Sequence, residues 1–182
     1  MKRNIFFIYS LLLIGLTNSP SLYAKNGEIG ELRIKGELVA EPCVIRPGDE
    51  EIEVDFGTIV DKYLYINKKS HLESFDIHLE DCDTSISDSV SVTFTSANTN
   101  SKLPGLLALD STSMATNVGI AILDSNANLI EINTPTPMYQ LVNGSNVLQF
   151  KSYVEAESDA IQSRGIGLGT FTATATFTLL YD

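Results

Sequence analysis

The sequence predicts an all-β fold, a two-sheet sandwich of the immunoglobulin type, on three observations. From residue 29 onward, apolar side chains recur at every second position in short segments, which gives a strand one apolar and one polar face. Turn-forming clusters separate these segments at Pro47-Gly48-Asp49, Asn98 to Ser101, Pro104-Gly105, Asp124 to Asn128 and Asn143-Gly144. No stretch carries a convincing helical stripe. The strand spacing suits a sandwich, but the chain has no Trp, and Cys43 and Cys82 stand closer than the antibody pattern requires.

The predicted strands follow in order. Leu32 to Ile45 opens with Leu32, Ile34, Gly36 and Leu38 on one face and Arg33, Lys35 and Glu37 on the other. Then come Ile52 to Phe56, Glu73 to Leu79, Val90 to Ser96, Leu106 to Leu109, Val118 to Leu123, Val147 to Glu155 and Thr170 to Leu180, rich in Val, Ile, Phe and Thr. The last is the most regular. Gly169, Phe171, Ala173, Ala175, Phe177, Leu179 and Tyr181 alternate with Thr170, Thr172, Thr174, Thr176, Thr178 and Leu180. Ser111 to Asn117 and Asn133 to Pro137 read as long surface loops.

Compartment and charge narrow the function. Residues 1–24 combine basic Lys2 and Arg3, an apolar run from Ile5 to Leu16 and a polar stretch ending at Ala24, the pattern of a secretory signal peptide. The apolar run is too short for a bilayer span of about 20 residues, so no membrane insertion is expected after its removal. The remaining chain suits one domain. Of the 12 basic residues Lys2 and Arg3 leave with the leader, so 10 face 23 acidic ones, a net charge near −13. That excludes nucleic acid and anionic membrane surfaces as natural partners. The two cysteines, Cys43 and Cys82, both lie in the exported part and read most simply as one disulfide. A metal pair or a redox pair has no support, since there is no CxxC and no His at ligand spacing.

No cofactor and no catalytic machinery are expected. His71 and His78 have no nucleophile or second ligand at motif spacing, and alternation places His78 opposite Ile77 and Leu79, a solvated strand position. Glu80, Asp81, Asp83 and Asp88 lack the glycine and terminal glutamate of an EF-hand loop and read as a charged turn. The glycines of residues 165–169 precede a strand and open no helix, unlike a nucleotide loop. Asn143-Gly144-Ser145 fits a glycosylation acceptor, though a tight turn explains it equally well. GxSxG and HExxH are absent.

Five stretches in order, "GELVAEPCVI", "FDIHLEDC", "VSVTFTSA", "TNVGIAILDSNANLI" and "TFTATATFTLLYD", resemble a pilin subunit of the chaperone-usher pathway. The likeness covers residues 28–182, and the opening "LRIKGELVAEPC" is most similar to minor pilins of type 1 and P pili. The resemblance implies an incomplete immunoglobulin-like sandwich lacking its final strand, with 25–37 an N-terminal donor-strand extension and 38–182 the pilin domain. It implies strand addition, in which a periplasmic chaperone fills the groove beside the terminal strand and a neighbouring subunit's extension then replaces it at an outer-membrane usher. The donor residues are Leu32, Ile34, Gly36 and Leu38, with Gly36 at a position too tight for a side chain. The groove and chaperone strand is Gly169, Phe171, Ala173, Ala175, Phe177, Leu179 and Tyr181, and chaperone basic residues would hold the carboxylate of Asp182. The disulfide carries over as Cys43 with Cys82. Implied partners are the chaperone, the usher and other pilins, and the implied location is a fimbrium on the cell surface, contributing to cell adhesion. The alternative is a single-domain tip adhesin binding a host receptor.

Burying Leu32, Ile34 and Leu38 would gain roughly 5–9 kcal/mol. Fixing the backbones of 32–38 costs about 7–14 kcal/mol, so the segment needs the ladder bonds of an acceptor groove as well.

Overall fold

The computed structural model describes residues 30–182, so the predicted leader, residues 1–24, lies outside the described residues. The chain divides into two units, Met1–Leu38 and Val39–Asp182. In the first, residues 30–38 adopt no helix or strand, and Leu32, Ile34 and Leu38 are fully exposed. The expected strand Leu32 to Ile45 gains ladder bonds only at its end, as β1, Val44–Ile45. Alternation encodes which face is apolar, but a strand also needs a partner for its backbone.

The second unit is a sandwich of two antiparallel sheets. β2 (Glu73–Cys82), β3 (Ser89–Thr95), β4 (Leu107–Ala108), β5 (Val118–Asp124), β6 (Leu129–Ile130), β7 (Tyr139–Gln140), β8 (Gly144–Ala156) and β9 (Thr176–Tyr181) follow in chain order. One sheet runs β1-β2-β8-β5-β4, with β6 on β5, and the other runs β7-β3-β9. Two short helices stand where the sequence carries no stripe. α1 (Asp61–Asn67) ends at Lys68 and α2 (Ser158–Ser163) at Arg164, both in the left-handed conformation that closes a helix. At seven and six residues they are too brief for a 3.6-residue period to show.

Inward rows from both sheets make the core. Ile77 and Leu79 of β2, Leu148 and Phe150 of β8, and Val90, Val92 and Phe94 of β3 are all buried. Phe150 stacks on Phe75 at 5.4 Å and meets Phe94 edge-on at 5.2 Å, so aromatic contacts join the sheets. Cys43 and Cys82 form the disulfide, tying the residue before β1 to the end of β2.

Candidate functional site: an apolar groove along the terminal strand

β9 is bonded on one side only. Its residues pair antiparallel with β3, with Phe177 opposite Phe94, Leu179 opposite Val92 and Tyr181 opposite Val90. On its other edge it pairs with no strand among the described residues. The consequence is read in burial. Phe94, Val92 and Val90 are 4%, 0% and 0% exposed, whereas Phe177, Leu179 and Tyr181, which also pack on the core, are only half-buried.

The row continues upstream without a regular ladder. Phe171, Ala173 and Ala175 are half-buried against the same core, with Thr172 and Thr174 exposed between them. Side chains and loop amides hold this stretch instead. Met114 and Asp110 donate main-chain N–H groups to the carbonyls of Thr170 and Thr172, both at 2.8 Å. Ser113 Oγ accepts from Thr172 N at 3.0 Å, and Thr174 Oγ1 donates to Asp110 Oδ2 at 3.0 Å. The predicted strand Thr170 to Leu180 is therefore a ladder only from Thr176 on. Gly169 begins the row with φ +138°, and a Cβ there would lie 2.5 Å from Met114 Cβ. Only glycine fits that crossing.

A second extended segment bounds the site. Ile52, Val54, Phe56 and Ile59 are half-buried, while Glu51, Glu53 and Asp55 are exposed. The expected strand Ile52 to Phe56 has the alternation of a strand, yet no ladder partner among the described residues. Ile52, Phe56 and Ile59 pack on the same core as the terminal row, and the Phe56 and Phe171 rings lie 6.3 Å apart. The site is thus an apolar strip with two half-exposed rows and unpaired main-chain edges. Main-chain donors and acceptors left unpaired along an apolar strip suit the addition of a strand.

The ends of the groove are fixed by polar contacts. Asp182 donates its N–H to the Ser89 carbonyl at 3.3 Å, and its main-chain oxygen accepts from Ser87 Oγ at 2.6 Å. Burial and the charge of Glu41 push the Tyr181 hydroxyl above its ordinary pKa. At the start of the other wall, Asp49 is buried. Its Oδ2 accepts from His78 N at 2.8 Å and lies 2.7 Å from His78 Nδ1, while Oδ1 accepts from Arg46 Nη2 at 2.9 Å. The carboxylate takes the place of a strand carbonyl where the chain turns away from β2. This corrects the reading of His78 as a solvated position: its imidazole is half-buried against a carboxylate 29 residues away in sequence.

The other sequence candidates are structural. Asn143 Oδ1 accepts from Thr84 N and Oγ1, both at 2.9 Å, and Gly144 turns at φ +89°. Asp83 is held below the usual carboxylate range by the hydroxyl and amide of Ser85. Among the described residues no three His, Cys, Asp or Glu side chains gather as metal ligands would.

The hydrogen bond from the His78 amide is the first cause that lowers the pKa of Asp49, to about 2. A carboxylate depressed in the folded state stabilises fully above its unfolded pKa of about 3.9 and loses that contribution as pH falls through 2. Asp49→Ala is expected to lower the melting temperature at neutral pH, with the difference from the unmodified protein narrowing as pH falls through about 2. Melting curves across that range check it. A constant difference at every pH would contradict it.

The sequence profile described as Fimbrial protein matches residues 32–182. PmfF of Proteus mirabilis, assigned as a minor fimbrial subunit, is 39% identical over all of both chains. Fimbria A protein of Serratia marcescens is 33% identical, again over all of both. Among solved structures, the P pilus rod subunit PapA superposes with a TM-score of 0.67 over 78% of this chain and 100% of its own, and its 22% identity makes that a likeness of fold. The matched profile, these full-length relatives and a sandwich with an unpaired terminal edge place the chain in the fimbrial protein family, as a structural subunit of a bacterial fimbria.

Proposed function

We propose that the groove is filled in two stages by strand addition. A periplasmic chaperone lends a strand along β9 during export, and at an outer-membrane usher the extension of a neighbouring subunit takes its place. The donor is residues 25–37 with its inward row completed by Leu38, presenting Leu32, Ile34, Gly36 and Leu38. The chain performs no catalysis and acts by joining a fibre that contributes to adhesion. One observation carries the reading: the half-buried row from Phe171 to Tyr181 is matched, in the same chain, by an exposed apolar row that has no secondary structure of its own. Gly36 has open space around it in the single chain, so a demand for glycine there arises only in a complex.

Deleting Lys25 to Lys35 is expected to leave a subunit that folds and binds chaperone but cannot fill its neighbour's groove. Co-purification with chaperone and incorporation of later subunits into fibres are the readouts. Fibre growth through the deleted subunit at the normal rate would refute the donor role.

A further inference from the structure

We propose that the acidic outer row of the groove wall selects the strand that enters beside it, and that the strand it fits is residues 31–38 of a second copy of this chain. The proposal rests on the strand-addition reading above. It names the partner that reading leaves open.

Glu51, Glu53 and Asp55 are exposed and alternate with the half-buried Ile52, Val54 and Phe56. A strand laid along this wall with its apolar row inward sets its outer row against these three carboxylates. None of the three makes an ion pair among the described residues; Asp55 accepts only from the amide of Gly57. On the opposite wall the outer positions Thr172, Thr174, Thr176 and Thr178 are uncharged. Charge recognition is therefore one-sided.

The chain as a whole carries 23 acidic residues against 12 basic ones, so two copies repel at long range. Its cations are not spread evenly. Lys25, Arg33 and Lys35 fall in the segment expected to enter another subunit, where Glu28, Glu31 and Glu37 offset them in number. With Leu32, Ile34, Gly36 and Leu38 inward, Arg33 and Lys35 point outward two residues apart, the spacing of the wall's carboxylates. Glu31 and Glu37 flank them.

Either strand direction permits a register with both cations opposite neighbouring carboxylates. It leaves one like-charged pair, the third wall carboxylate against Glu31 or Glu37 at an end of the donor. In the single chain Arg33 pairs with Glu31 at 2.6 Å, with the side chains 69% and 75% exposed. Such a contact is weak in water and readily exchanged. A donor with an acidic outer row would meet like charge at every position, which is how a groove rejects a wrong strand.

Self-assembly of the full mature chain tests this, followed by light scattering at low and high salt. Arg33→Glu with Lys35→Glu is expected to slow assembly about tenfold at low salt, and Glu51→Lys with Glu53→Lys to do the same. The chain carrying all four changes should recover to within about twofold, and high salt should erase the differences. All four positions are exposed, and melting curves show whether the variants stay folded. Assembly indifferent to the reversals, a four-residue swap without recovery, or a chain that assembles only with a different subunit would each overturn the proposal. Failure of the swap alongside loss of assembly on deleting Lys25 to Lys35 would leave strand addition standing. Assembly surviving that deletion would overturn both.

Discussion

Phe150→Ala is expected to lower the unfolding free energy by about 3–5 kcal/mol. Phe150 is 1% exposed and lies at the centre of the 13-residue strand β8. Its ring touches Phe75 in its own sheet and Phe94 and Tyr139 in the other. Truncation removes a transfer contribution and leaves a cavity that two hydrogen-bonded sheets cannot close by moving a single side chain. Against a typical total of about 5–15 kcal/mol, the loss would leave many molecules partly unfolded. Urea unfolding should show the midpoint falling with the slope preserved. Phe171→Ala, in the half-exposed groove row, should cost distinctly less, because part of that ring is already in water. Equal costs at the two positions would mean that the groove is closed in the isolated subunit.

The contrast between these two phenylalanines shows where sequence reading succeeds. Period-2 alternation made β2, β8 and the terminal row legible, since a strand's faces are written locally, and β3 and β5 were legible as short apolar segments between turns, β5 being buried on both faces. It could not say how deeply a row is buried. Val92 and Leu179 are opposite each other in register, yet only the first is sealed, because burial depends on the next strand over. The segment 51–56 was legible as a strand but not as a wall, since its alternation resembles that of any edge. Helices α1 and α2 left no period to read. The Asp49 to His78 contact joins positions whose local patterns, a turn and a strand, say nothing of each other. The groove role of Phe171 to Tyr181 came from the resemblance and belongs to the proposal, while the half-exposed row itself is what the structure shows.

Replacing Cys43 and Cys82 by Ala is expected to cost about 4 kcal/mol by the loop-entropy model, with the cysteines 39 residues apart in sequence. The effect should not fall evenly. The closed loop contains Asp49, the wall from Ile52 to Ile59 and α1, which is held to the core through Leu64 and Tyr65. The wall has no ladder of its own, and β1, which leads into it, is only two residues long. With the bond gone, the side chains of the wall, the Asp49 contacts and that short pairing must hold its start in place. The free energy of local opening should therefore drop at residues 51–59 before it drops in β2 and β8. Limited proteolysis within 51–59, set beside urea unfolding, measures both on the double variant and on the native chain after reduction. Faster cleavage at 51–59 than the global change accounts for would show that the disulfide shapes the groove that receives a strand. Cleavage that rises only in step with global stability would confine the bond's effect to the unfolded chain.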